Sequence, residues 1–348
     1  MGQTEVRGVD SERVTGWLAV NIAGVEPPLQ FDLIAGGHSN LTYGVTDAAG
    51  QRYVVRRPPL GHVLATAHDM SREHRIISAL GATEVPVPPA LGLCTDESVN
   101  GAPFYVMGFV DGNVIRDAAT AEKLLDIDQR RRAGESVVDV LAGIHAVDVE
   151  AVGLGDLGKH EGYIARQLKR WYSQFEASNA LTKRPVPLVH ELHDRLSAAI
   201  PEQQGTAIVH GDYRLDNCML GHDGTIAAVL DWEICTLGDP LADVGLLLVY
   251  WTEADDTKAA LLGAPTAAPG FLDRTEMVAR YAKASDRDVS SLDFYVAFGY
   301  WKLACIIEGV YSRYAGGAMG DASGFEAFEK QVAMLAEQAA VVADRAGI

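Results

Sequence analysis

The chain has 348 residues, 48% hydrophobic and 22% charged, with a formal net charge of −18. That composition supplies a core for one large or two ordinary domains and argues against wholesale disorder. The acidity argues against nucleic-acid binding as the main task, because neutralising a phosphate backbone takes clustered Lys and Arg.

In chain order, residues 30–34 and 41–46 are predicted as short strands flanking Gly36-Gly37-His38-Ser39-Asn40. A turn at 47–50 leads into a β-branched strand at 52–56, which Pro58-Pro59 stops. A helix is expected over 69–80, broken by the proline-rich stretch 85–89. Strands at 90–94 and 104–109 complete this section. Helices are then expected over 121–145, 164–179 and 188–199, a strand-rich island over 207–232, and helices again from 240–251 to an amphipathic stretch at 325–346. A β-rich first third followed by a mainly helical remainder reads as α+β with two lobes. The small lobe would take residues 1–110 and the large one 111–348, with the junction near 107–112.

The opening residues lack the apolar core of a signal peptide, and Val6 stands where a myristoylation site needs Ser or Thr. The longest apolar run, around 245–251, is too short to cross a bilayer. Cys94, Cys218, Cys235 and Cys305 form no C-x-x-C pair, so they are read as reduced thiols. The expectation is a cytoplasmic protein with no membrane and no nucleic-acid partner.

Residues 206–232 carry the sharpest signal. Apolar Ile208-Val209 runs into His210-Gly211-Asp212, and Asn217 follows Asp212 by five positions. A short strand, the hairpin turn Asp223-Gly224 and a return strand then end at Asp231. A hairpin brings its outer ends together, so Asp212, Asn217 and Asp231 are expected to converge. Phosphoryl transfer needs such a set: one carboxylate takes the proton of the attacking hydroxyl, while a second carboxylate and an amide oxygen hold Mg²⁺ against nucleotide phosphates. The spacing H-x-D-x-x-x-x-N followed by an Asp is that of kinase catalytic loops. The rival readings are a zinc cluster of His210, Asp212 and His222, and a hydrolase using His210 and Asp212. The first lacks paired ligand spacing; the second lacks a Ser or Cys nucleophile.

The segment from His210 to Leu220, with Leu230-Asp231-Trp232-Glu233 after it, resembles the aminoglycoside-phosphotransferase/choline-kinase family, which shares the protein-kinase fold. The resemblance covers roughly residues 25–315. The stretch from Val54 through Arg56-Arg57-Pro58-Pro59 to Arg72-Glu73 is similar to kinase domains fused to acyl-CoA dehydrogenases. The resemblance implies Asp212 as catalytic base, Asn217 and Asp231 as magnesium ligands, ATP as phosphate donor, and a small-molecule hydroxyl as acceptor. It also places Arg214 where protein kinases have a lysine near the transferring phosphate.

Other residues fit the same frame. The loop Gly36, Gly37, Ser39, Asn40 is expected to cover the phosphates with backbone N–H groups. Arg56 ends its strand where kinases place a phosphate-binding lysine, with Arg57 as a rival. Glu73 shares a helix face with Ile76, Ile77 and Leu80, so it needs a partner, and Arg56 is the obvious one. Met107, Phe109 and Val110 at the junction are candidates for adenine contacts. Asp243 is expected to accept hydrogen bonds from the catalytic-loop backbone. Trp301, Glu308 and Arg313 are candidates for the acceptor pocket, while His62, His68 and His74 are read as unrelated to one another. The acceptor implied is a hydroxyacyl compound; an aminoglycoside or other amino alcohol, or a non-catalytic nucleotide-binding module, are the alternatives.

Overall fold

The computed structural model describes residues 6–35, 40–60, 68–254, 256, 264–315 and 326–348. They fall into two compact units, the first comprising residues 1–114, 152–154 and 217–234 and the second the rest.

The first unit opens with α1 (Ser11–Asn21), whose N-terminus is capped by Asp10 accepting from Arg13 N–H at 3.1 Å. β1 (Gln30–Ala35), β2 (Leu41–Thr46) and β3 (Arg52–Arg57) form an antiparallel meander. After α2 (Met70–Leu80) come β4 (Ala90–Cys94), the single turn α3 (Glu97–Asn100), β5 (Phe104–Gly108) and β6 (Asn113–Val114). The main sheet has the order β1-β2-β3-β5-β4. Tyr43, Val45, Val55, Phe104 and Val106 pack from it against Val14 and Leu18 of α1. The sequence reading did not anticipate α1, which buries only those two side chains and so has little periodic signal.

The second unit is largely helical. The single helix expected over 121–145 is two, α4 (Ala118–Leu124) and α5 (Ile127–Ala146). The break is a capping box: Asp126 accepts from Gln129 N–H and Gln129 accepts from Asp126 N–H, both at 2.7 Å. α6 (Tyr163–Thr182) and α7 (Pro187–Ala198) lead to β7 (Ala207–Val209). The hairpin β8 (Cys218–Leu220) and β9 (Ile226–Val229) follows, then β10 (Thr236–Gly238), α8 (Leu241–Tyr250), α9 (Arg274–Ser285), α10 (Leu292–Ala315) and α11 (Glu326–Ala346). β10 returns antiparallel to β7. At Gly245 a Cβ would meet the Tyr295 backbone at 2.5 Å, so glycine there lets α8 lie close against α10. Among the described residues no helix is long and apolar enough to cross a membrane.

The hairpin β8–β9 belongs to the first unit rather than to the helical part in which the sequence reading set it. β6 pairs with β8, and Val229 N–H donates to Pro86 C=O at 2.8 Å.

Candidate active site

In the first unit the strand β3 ends on two arginines with different fates. Arg57 is buried in structure: its Nη1 donates to Gly8 C=O at 2.6 Å and Asn100 C=O at 3.0 Å. Arg56 points to the acidic groups. Its Nη2 donates to Asp231 Oδ1 at 2.5 Å and lies 3.8 Å from Glu233 Oε2. Its Nε is 3.0 Å from Glu73 Oε2, an ion pair without an aligned N–H bond. Glu73 lies on the buried face of α2 with Met70, Ile76, Ile77 and Leu80, as its spacing implied. Burial pushes its carboxyl above the usual range and Arg56 is the chief opposing influence. Burial also works against the Arg56 charge, but Glu73 and Asp231 hold the guanidinium firmly protonated.

Asn40, the last residue of the loop expected to cover the phosphates, ties this cluster together through its side chain. Its Nδ2 donates to Glu73 Oε1 at 2.7 Å and Glu233 Oε2 at 3.1 Å, and its Oδ1 is 2.8 Å from His68 Nδ1. Tyr105 OH donates to Glu73 Oε2 at 3.1 Å. Gly36, Gly37 and Ser39, with His38 and His62, lie outside the described residues.

The hairpin sets the metal candidates. Leu230 N–H donates to Asn217 C=O at 2.8 Å, so Asn217 and Asp231 stand at adjoining ends of β8 and β9. Asp231 has φ 64°, a left-handed conformation that side chains other than glycine seldom adopt and that clusters at functional sites. Its carboxylate is 30% exposed, so an incoming ion can reach it. A carboxylate and an amide oxygen are hard donors of the kind Mg²⁺ takes while keeping its own waters. Among the described residues no three His, Cys, Asp or Glu side chains gather as a metal cage, so the zinc reading of His210, Asp212 and His222 has no support.

In the second unit Asp212 follows a loop that is tethered on both its donors and its acceptors. Asp243 of α8, fully buried, accepts His210 N–H at 2.6 Å and Gly211 N–H at 2.8 Å, as its place in the sequence implied. Lys302 of α10 donates to Gly211 C=O at 3.0 Å. Burial pushes the Lys302 ammonium below its ordinary value, while Asp212 and Asp243 pull it back up. Burial pushes Asp243 up, but the N–H of His145 and then that of Gly211 outweigh it, leaving the carboxyl low. His145 Nδ1 in turn lies 2.8 Å from Tyr281 OH.

Around Asp212 stand Arg214, whose Nε is 3.5 Å from Asp212 Oδ2, and Tyr250, hydrogen-bonded to Asp212. Arg214 also pairs with Asp216 at 2.7 Å and lies over the Tyr250 ring at 5.0 Å. Burial raises the Asp216 carboxyl, and Arg214 opposes it. Arg214, Asp216, Tyr250 and Thr266 line a pocket of about 20 Å³, room for about one water.

Several expected residues do other work. Met107 is buried within the sheet between Val54 and Ala90, and Gly108 N–H is engaged by Pro89 C=O at 2.8 Å. The Phe109 ring carries the Arg52 guanidinium at 3.7 Å. Trp301 is not a pocket wall: it is wholly buried, and its Nε1–H donates to Val189 C=O at 3.0 Å. Glu308 is equally buried, paired with Arg184 and accepting from Thr182 OH at 2.7 Å, while Arg313 is exposed. His68, for which no role was expected, is part of the Arg56 cluster. Lys302 and Tyr105 were not singled out, and Glu233 entered only as part of the motif that carries the family resemblance. A lysine directly after an aromatic helical repeat, four residues beyond Phe298, was the one available signal for Lys302.

Comparison with known proteins places these residues in context. The family described as "Phosphotransferase enzyme family" matches residues 31–284, well over half of the chain. Acyl-CoA dehydrogenase family member 10 of Mus musculus is 35% identical over 309 residues, which are 86% of this chain and 27% of that protein. The chain spans only about a quarter to two fifths of the curated relatives it matches, 27% to 40%. A crystal structure from Ralstonia eutropha, provisionally described as an aminoglycoside phosphotransferase, is 33% identical with a TM-score of 0.81, covering 97% of this chain and 98% of that one. An ADP-bound aminoglycoside phosphotransferase shares the fold at 14% identity and a TM-score of 0.60, over 96% and 99% of the two chains. The α+β, protein-kinase-like fold class expected from the sequence is the one these structures share.

Proposed function

The chain belongs to the phosphotransferase enzyme family, whose chemistry makes it a small-molecule kinase, and we propose that it moves the γ-phosphate of ATP to a hydroxyl of its substrate. The observation that carries this reading is Arg56 clasped by Glu73 at 3.0 Å and Asp231 at 2.5 Å. In kinases a lysine paired with a helix glutamate grips the donor phosphates, and a guanidinium serves the same end with two parallel donors. The ADP-bound relative in fold supports a nucleotide as donor.

Asp212 orients the acceptor hydroxyl and accepts its proton as the oxygen attacks. Its loop is tethered by Asp243 and Lys302, so the carboxylate meets the acceptor without reorganising, which is where positioning catalysis gains its rate. Arg214, held by Asp216, offers its charge to the transferring group. Asn217 and Asp231 would hold Mg²⁺, which when bound neutralises phosphate charge. The enzyme works in the cytoplasm under this reading, where ATP is available.

For the acceptor we favour a hydroxyacyl compound, free or as its CoA thioester, on the strength of the acyl-CoA dehydrogenase family relative. A transfer screen with γ-labelled ATP over hydroxy acids, hydroxyacyl-CoAs, aminoglycosides and choline tests both levels. Label should appear in a hydroxyacyl product. Label in an aminoglycoside instead corrects the substrate class. A melting-temperature rise with Mg-ATP and no product in any arm would make the protein a binding module.

A further inference from the structure

We propose that His68 and Asn40 form a positioning relay that fixes the Arg56 guanidinium, and that the relay works through the Nδ1–H form of the His68 ring. The proposal rests on the reading of Arg56 as the residue that grips the donor phosphates.

The argument begins with the Asn40 amide, which has one end that only donates and one that only accepts. Glu73 Oε1 at 2.7 Å and Glu233 Oε2 at 3.1 Å both lie against one end of it. An oxygen there would bring three acceptors together, so the nitrogen must face the carboxylates. The Asn40 oxygen is then turned to His68, 2.8 Å from Nδ1, and Nδ1 must carry the proton. Burial and the nearby Arg56 charge hold the His68 ring below its ordinary pKa, so the form that donates is the neutral ring with Nε2 unprotonated.

The two carboxylates that Asn40 holds are the two that flank Arg56 besides Asp231: Glu73 at 3.0 Å from Nε and Glu233 at 3.8 Å from Nη2. A guanidinium with five donors among three carboxylates has several poses available. Asn40 removes most of them by fixing Glu73 and Glu233, with Tyr105 OH holding the second Glu73 oxygen at 3.1 Å. His68 fixes Asn40. When Asp231 turns to another partner, Glu73 and Glu233, as held by this relay and by Tyr105, are what orient Arg56.

The test uses side-chain reach. The amide nitrogen of Asn falls where His Nδ1 does, whereas that of Gln falls nearer Nε2. Calorimetry should measure the Kd for Mg-ATP of the full chain and of His68→Ala, His68→Gln, His68→Asn, Arg56→Gln and the double variant His68→Ala/Arg56→Gln. His68→Ala and His68→Gln should weaken binding about fivefold to tenfold, the worth of one buried hydrogen bond. His68→Asn should recover most of that loss, and His68→Ala should add little in the Arg56→Gln background. Wild-type affinity in His68→Ala, or equal affinity in the Asn and Gln variants, overturns the relay. If Arg56→Gln binds Mg-ATP like wild type, the phosphate-gripping role of Arg56 is wrong, whatever His68 does. Should His68→Ala not fold, the comparison of Asn with Gln decides.

Discussion

Asp243 accepts the backbone N–H of Gly211 at 2.8 Å with one oxygen, while its other oxygen takes the N–H of His210 at 2.6 Å. A carboxylate is the one side chain that satisfies two adjacent backbone donors from a buried position without bringing a donor of its own. The loop ahead of Asp212 is thereby set by a helix and leaves its own sequence little freedom. Changing Asp243 to Asn keeps one acceptor and points an NH₂ at the other donor. Stability in urea should fall by about 2–4 kcal/mol, the cost of orphaning a buried donor and losing a charged partner. An unchanged unfolding midpoint would show that the loop holds itself.

Asp212→Asn removes the proposed proton acceptor while preserving shape. Turnover should fall by about 10²–10⁴-fold, the usual contribution of a positioned general base. Mg-ATP affinity, measured by calorimetry, should stay near wild type if Asp212 acts on the acceptor as proposed. Retained turnover would move the base elsewhere.

Lys302→Met keeps the aliphatic stem and deletes the donor to Gly211 C=O. Removing a buried charge offsets the lost bond, so the melting temperature should change little. Turnover should drop by about tenfold, as the loop carbonyl and the Asp212 carboxylate lose their cation. If the rate holds while the protein unfolds earlier, Lys302 serves the fold and leaves the chemistry alone.

Burial lowers the pKa of His145, which stays neutral beside Tyr281 and Asp243. A depressed His contributes stability that is present above its unfolded value of about 6.5 and is lost as pH falls toward the folded pKa. Between those values the unfolded chain binds the extra proton, so stability rises with pH, by at most about 1.4 kcal/mol per unit. His145→Gln removes the titrating group and keeps a donor at the Nε2 position facing Asp243. Urea unfolding at pH 5.0, 6.0 and 7.5 should give a flatter pH dependence in this variant. An unchanged slope would assign it to His68 or His74, whose pKa values burial also depresses.

Much of the site was legible because it is local. The spacing from His210 to Asn217 and the hairpin turn at Asp223-Gly224 fix adjoining ends within about twenty residues, and the Glu73 face follows from helical periodicity. Arg56 and Arg57 could not be separated, because Tyr53, Val54 and Val55 are all apolar and β3 is buried on both faces, so alternation gives no phase. The break at Asp126 was missed because the apolar pattern runs through it while the capping box overrides it.

The sequence by itself determined which groups are on offer: Asp212, Asn217 and Asp231 around one hairpin, and an arginine pair ending a strand. Only the tertiary structure decided how those groups are held. Asn40 meets Glu73 across 33 residues and Glu233 across 193, and Arg56 meets Asp231 across 175. Contacts at such separations depend on which strands pair and which helix covers them, and a short-range pattern of residue types carries no record of that closure.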